Sequence, residues 1–498
     1  MSEFASPPLK ILVRERNGMA VYHGPPSVTP EGGLPAPAAC VSVDTANALS
    51  AIPLPPRLAP VFSPDGSVVC LVRSEGQPIH LYRTDSGAAV AEIPCLDALL
   101  VYFSPRGSYL VTFSRPTKGR EDGTIEGNLR IWDASSGQLL STHASKPQKR
   151  DSLQWTSDEG LCCKLVTNEV QVYPGRLEGD VAMLGRVRHP GATQFRLCPA
   201  PTAAGCTVCI FQAESSGNPA RAALYYFNSS DGSSAPGPSR TMFSASECHM
   251  HWNLPGSALL VHTHSDVDKS NTSYYGATGL FLLTTSALGE LTDKVAQSKD
   301  GPIHDVQWSP LGDRFILAAG SMPSQCTMYD SRAQVVYEFG AAHRNTVSWS
   351  PHGRFLCLAG FGNLAGEMDF YDMSKLKKIG SNTAHCSVSY GWSPDSRYFL
   401  TATLAPRMNV DNGYKVTLRI RISPSIPDAS MCTSIFFFLP LLTSIGLFIT
   451  IITPSLLTPS PNPFPPHTRH PDADQPKTPD LEVQRHRARR TRERRPGP

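Results

Sequence analysis

The chain has 498 residues, of which 40% are hydrophobic, and a formal net charge of only +3 at pH 7. Residues 417–498 hold eleven Lys and Arg against six Asp and Glu, leaving 34 against 36 for residues 1–416. A first part so close to neutral excludes a general binder of polyanions and confines any nucleic-acid contact to a local patch.

In chain order, the opening residues MSEFASPPLK are polar and contain proline, so no signal peptide is expected there. The reducing cytosol is then the expected compartment, and the sequons at Asn228 and Asn271 carry no meaning. Residues 11–14 and 20–22 can pair as short strands around Asn17-Gly18, a hairpin turn signal. Residues 24–60, rich in Pro, Gly and Ala, read as loop.

From residue 61 a pattern sets in and returns. Ser63-Pro64-Asp65-Gly66 is followed by copies that begin at Ser104, Ser309, Ser350 and Ser393, with degenerate copies at Thr156, Cys198 and Asn253. Ser, Pro and Gly at the first, second and fourth positions fit a type I turn. The eight turns have a mean spacing of about 47 residues. Between turns stand short apolar runs, and after most of them an aromatic follows: Tyr82, Trp132, Tyr173, Tyr226, Phe281, Tyr329 or Tyr371. Asp comes next in Trp132-Asp133, Tyr329-Asp330 and Tyr371-Asp372. Short strands at such a period, with a Trp-Asp-like dipeptide, predict an all-β propeller of the WD-repeat type.

Near Val416 the pattern stops, where Tyr414 opens an expected third strand. Residues 417–498 read as a divergent, mostly disordered tail, so the domain boundary falls at 416 and the last blade is expected to be incomplete. Within the tail, residues 435–452 are eighteen uncharged residues, the minimum for a membrane span, interrupted by Pro440 and Gly446. Residues 453–479 are Pro-rich, and residues 485–495 hold seven arginines in eleven positions. That run reads as a solvated tail, with a nuclear address or an RNA patch as the alternative.

No phosphate-binding loop, zinc-protease motif or nucleophile elbow occurs. Gly360-Phe361-Gly362 through Gly366 lacks the spacing of a dinucleotide fingerprint and is expected to be a hairpin loop. The thirteen cysteines are scattered and read as buried thiols. Cys206 and Cys209 form the single C-x-x-C, and that spacing on a strand puts the two sulfurs on opposite faces. His343 and His385 precede first strands and are expected to make core hydrogen bonds. No catalytic residues, metal or cofactor are expected. In a meander, connections alternate between two rims, and the second-to-third connections are the long ones: about 115–127, 212–223, 264–277 and 404–413. They carry Arg115, Lys118, Arg120, Arg221, Lys269, Tyr274, Tyr275 and Arg407, the candidates for a functional contact, since long loops tend to carry function.

The same residues resemble a known family. His262-Thr-His-Ser-Asp-Val-Asp-Lys269 with Ser273-Tyr-Tyr-Gly276, Gly301-Pro-Ile-His-Asp-Val306, Leu358-Ala-Gly-Phe-Gly-Asn-Leu364 and Leu400-Thr-Ala-Thr-Leu-Ala-Pro-Arg407 are similar to the eukaryotic translation initiation factor 2A family. The resemblance covers roughly residues 9–415. It implies nine blades, cytoplasmic ribosome association, and recruitment of initiator methionyl-tRNA and mRNA to the small ribosomal subunit without GTP hydrolysis or a small-molecule substrate. From Val416 the family's Trp-containing strands and Lys/Glu-rich tail do not appear, as a retained intron or frameshift would produce. The alternative is a WD-repeat scaffold of another complex, subunit b of initiation factor 3 included, with 435–452 as a possible membrane anchor.

Overall fold

The computed structural model describes residues 60–403, apart from 73–75, 85, 116–126, 146–151, 180, 203, 216, 244, 266–276, 388 and 394–395. It also describes the backbone of strands at 10–15, 18–23, 413–418, 434–438 and 449–451. The chain divides into residues 1–460 and 461–498, and every described residue lies in the first unit.

Eight four-stranded antiparallel sheets follow one another, each a meander whose strands pair in chain order. They span residues 61–93, 98–143, 153–188, 192–242, 247–294, 303–342, 346–383 and 389–438, numbered here as the first to the eighth sheet. A ninth sheet sets Ile449–Ile451 beside Lys10–Glu15, which pairs in turn with Gly18–His23. The eight repeats expected from the sequence are therefore present in an all-β WD-type propeller, and the three-stranded ninth sheet brings the number to the nine blades that the family resemblance implies. Among the described residues the one helical turn is the 3-10 segment Ser286–Leu288.

The recurring turn has a local cause. In Ser63, Ser104, Ser350 and Ser393 the Oγ accepts the backbone N–H five residues on, at 2.9 Å in each case. Thr156 does the same for Leu161 at 3.1 Å, and Asn253 for Ala258 through Oδ1 at 2.9 Å. Two of the three degenerate copies, Thr156 and Asn253, thus keep an acceptor where the sequence changes. In seven of the eight turns the fourth residue has positive φ, from +58° at Glu159 to +82° at Gly107, which is why glycine predominates there. The aromatic-Asp pair is equally local. The ring faces the core, while the carboxylate of Asp133 accepts the N–H groups of Ser135 and Ser136, and that of Asp330 those of Arg332 and Gln334.

Packing runs between sheets, because alternate residues of one strand face opposite neighbours. In the fifth sheet Leu259 and Val261 pack on the fourth through Phe211 and Leu224, whereas Ala258 and Leu260 pack on the sixth through Phe315 and Leu317. Seven such cores link the first sheet to the eighth in succession. Each fully buried Leu, Val or Phe contributes about 1.5–3 kcal/mol. The first strands of successive sheets approach one another and form the inner layer. Tryptophans at their ends join neighbours: Trp252 Nε1 donates to the Arg196 carbonyl at 3.4 Å, Trp308 to His251 at 2.8 Å, and Trp392 to Ser348 at 3.0 Å.

Strand pairing runs past residue 416. Gly413–Leu418 is the third strand of the eighth sheet, and Ser434–Phe438 pairs with it as the fourth. Ile449–Ile451 approaches the first strand of the same sheet, Ser389–Trp392, while pairing with Lys10–Glu15. The apolar stretch 435–452 therefore contributes strands to two sheets. Among the described residues no helix is long and apolar enough to cross a membrane.

Candidate functional site: the rim opposite the Ser-Pro turns

Because strands alternate in direction, all Ser-Pro turns lie on one rim, and all second-to-third connections and links to the next sheet lie on the other. The Ser-Pro rim is occupied by its own contacts. Asn253 Nδ2 donates to the Gly312 carbonyl at 3.0 Å, the Arg106 N–H to Glu159 Oε1 at 2.7 Å, and the His352 N–H to Ser396 Oγ at 3.1 Å. A Cβ on Gly312 would fall 2.5 Å from Pro255 Cδ, so the turns seat directly on one another. That rim reads as a structural ring.

On the opposite rim, Arg115 follows the strand Tyr109–Ser114 and is exposed. Arg221 is the second residue of Ala220–Asn228, also exposed, and its guanidinium donates to Ser239 Oγ at 2.9 Å. The two belong to the second and fourth sheets, so the structure puts them on one rim without bringing them together. Lys118, Arg120, Lys269, Tyr274, Tyr275 and Arg407 lie outside the described residues. The connection expected at 212–223 is shorter than the sequence reading, because the strands run to Gln212 and resume at Ala220.

Arg130, Lys164 and Lys299, also of this rim, are engaged. Arg130 pairs with Asp97 at 3.1 Å; partial burial raises the Asp97 pKa, but hydrogen bonds from Ser114 and Arg130 outweigh it and hold the carboxyl below its usual range. Lys164 Nζ donates to the Ala144 carbonyl at 3.1 Å, and Lys299 Nζ to that of Pro323 at 2.7 Å. The core histidines expected at 343 and 385 are a correction. Both are exposed, and the buried polar place between the sixth and seventh sheets is filled by Arg344, which bonds Asp369 and, at 3.3 Å, the Tyr371 hydroxyl. The N–H of Val347 donates to Asp305 Oδ2 at 2.8 Å in the same interface, and burial pushes the Asp305 carboxyl up to about 7. No signal in the sequence distinguished Arg344 from its neighbour His343.

Residue Phe243 was missed by the sequence reading. It follows the outer strand Ser234–Met242 on the link to the fifth sheet, and it is 79% exposed while Met242 beside it is 1% exposed. The link is fixed: Met242 pairs with Ala220, the Glu214 N–H donates to the Ala245 carbonyl at 3.1 Å, and the Ser246 N–H to that of His264 at 3.0 Å. A single aromatic after an apolar residue gives no periodic signal, so only the fold could show which of the two faces water.

Four histidines of the fifth sheet, His249, His251, His262 and His264, lie close together, with His262 buried and the others half-buried. His249 is the cross-strand partner of His262, with ring centroids 6.1 Å apart. Burial, then the neighbouring cations and histidines, drives His251 and His262 down to about 3. Among the described residues no group of three or more His, Cys, Asp or Glu is placed to hold a metal. Cys206 packs toward the third sheet and Cys209 toward the fifth, so the two sulfurs do face opposite ways. Gly360–Gly366 joins two strands as a hairpin loop, closed by the Gly366 N–H on the Gly360 carbonyl at 2.8 Å.

Fold and rim together define a WD-type β-propeller with one rim taken up by its own turns and the other carrying the long connections. The family model for the eukaryotic translation initiation factor eIF2A matches residues 240–418. The factor 2A of Dictyostelium discoideum is 36% identical over 358 residues, covering 71% of this chain and 56% of that protein. That of Schizosaccharomyces pombe is 38% identical over 365 residues, covering 71% and 60%. A crystal structure of a eukaryotic initiation factor superposes with a TM-score of 0.70 at 28% identity, covering 90% of this chain and all of the other. The chain belongs to the eukaryotic translation initiation factor 2A family. It spans 56% and 60% of the length of these two curated relatives.

Proposed function

We propose that the chain acts in the cytoplasm as a non-enzymatic translation initiation factor. It associates with the small ribosomal subunit and assists recruitment of initiator methionyl-tRNA and mRNA. The observation that carries this reading is the similarity to initiation factors 2A over 71% of the chain. In this reading the contact is made by the rim that bears Arg115, Lys118, Arg120, Arg221, Lys269, Tyr274, Tyr275 and Arg407, since the turns of the other rim are spent on one another. Few exposed cations on a nearly neutral propeller can neutralise only a handful of phosphates, and each contributes about one unit to the slope of log affinity against log salt. Cosedimentation with purified small subunits should fade between low and physiological salt. Replacing Arg115, Arg120, Arg221 and Lys269 with Ala should weaken it further and leave thermal stability nearly unchanged. Equivalent changes at Arg106 and Arg354 on the Ser-Pro rim should be silent. Salt-independent binding, or a sensitive Ser-Pro rim, would refute this assignment.

A further inference from the structure

We infer that the fifth sheet carries a site for a divalent transition-metal ion such as Zn²⁺, ligated by Glu247, His249, His262 and His264. Two His-x-His pairs, 249 with 251 and 262 with 264, stand on the adjacent strands Glu247–Trp252 and Ala258–Ser265. The register sets Glu247 opposite His264 and His249 opposite His262. Residues two apart on a strand, and residues directly across a strand pair, share one face of the sheet. The four side chains therefore stand as a square on one face, at the end of the strands that meets the rim of the long connections.

The surroundings favour an ion over plain packing. Farther along the same face, Ala258 and Leu260 are buried against the sixth sheet, while Cys248 and Met250 on the other face pack on the fourth. Apolar residues would have continued that packing to the rim without desolvating polar rings. Instead exposure falls from exposed Glu247, through half-buried His249 and His264, to His262 at 3%, which gives an ion a way in. Burial, then the neighbouring histidines, keeps the His262 imidazole neutral down to about pH 3, so at pH 7 it has no proton to lose on ligation. The Ser246 N–H donates to the His264 carbonyl at 3.0 Å and holds the mouth of the site. As they stand the rings are not gathered on one point, and those of His249 and His262 are 6.1 Å apart. With Zn–N near 2.1 Å, a tetrahedral ion holds two imidazole centroids about 5 Å apart, so side-chain rotation has to close the pair by about 1 Å. Three imidazoles and one carboxylate suit Zn²⁺ and its neighbours rather than Ca²⁺ or Mg²⁺. His251 lies one row deeper, where the Arg196 charge opposes a cation, and falls outside the square.

The test uses the full chain, stripped with a chelator and kept reduced. Zn²⁺ is titrated in competition with a chromophoric chelator, and Co²⁺ is followed by absorption spectroscopy. The parent should take up Co²⁺ with the visible bands of a four- or five-coordinate site and without the near-ultraviolet charge transfer of a cobalt thiolate. His249→Gln, His262→Gln, His264→Gln and Glu247→Gln should each weaken Zn²⁺ binding by at least about tenfold, since even the loss of an outer-shell partner costs that much. His251→Gln should keep the parent affinity. Where the buried His262 variant fails to fold, the rim members Glu247 and His264 still decide the matter. A parent that binds no Zn²⁺ would overturn the inference, as would parent-like affinity in His249→Gln or His264→Gln. So would a thiolate band, which would put the ion on some of the thirteen cysteines, or a loss in His251→Gln as large as that in His249→Gln. None of these outcomes depends on the reading of the rim as a ribosome contact.

Discussion

Acidification sets two buried histidines of the fifth sheet against one buried carboxyl of the sixth. His251 and His262 have folded pKa values of about 3 against 6.5 when unfolded. Their contribution is intact above pH 6.5 and is lost as pH falls toward 3, because only the unfolded chain takes up the protons. Asp305 is opposite in sign. Its pKa is raised from 3.8 to about 7, so its contribution is present at low pH and lost as pH rises through 7. Between pH 7 and 5 the two histidines together lose about 4 kcal/mol and Asp305 regains about 2, a net loss of about 2 kcal/mol. The assay is urea unfolding followed by tryptophan fluorescence at pH 7, 6 and 5, where exposed carboxylates form a background common to all variants. Asp305→Asn removes the opposing carboxyl and should roughly double the acid loss. The double variant His251→Gln/His262→Gln should reverse the sign and gain about 2 kcal/mol on acidification. A double variant that tracks the parent across this range would refute the reasoning, whatever its stability at pH 7.

Ending the chain after Leu418 removes five residue pairs with the third strand of the eighth sheet and three with Lys10–Glu15. Two sheet edges are then left open, so the shortened chain should melt lower, by roughly 3 °C or more, and aggregate sooner; an unchanged melting temperature would mean that these strands close nothing. Ser350→Ala deletes a fully buried acceptor of the Phe355 N–H and should cost about 1–3 kcal/mol in urea unfolding, most of which Ser350→Thr should recover, since Thr156 serves the same role in the third sheet.

The sequence by itself determined the elements whose causes are local. Turn chemistry at Ser63, Ser104, Ser309, Ser350 and Ser393 needs only an oxygen acceptor and a residue tolerant of positive φ, both visible in one repeat. The aromatic-Asp ends of third strands are likewise written within four residues. Repetition then implies stacking, because no single meander can bury both of its faces. The opposite faces of Cys206 and Cys209 follow from spacing alone. What the tertiary structure decided depends on neighbours far away in the chain. Ile449–Ile451 pairs with Ile11–Val13 because a ring must bring its last strands to its first, and no local pattern within an apolar run states which partner it meets. Arg344 rather than His343 enters the sixth interface because Asp369, 25 residues on, supplies its counter-charge. Phe243 faces water while Met242 is buried, since the alternation of the outer strand places one of two adjacent apolar residues against the fifth sheet, and that choice exists only once the sheets have packed.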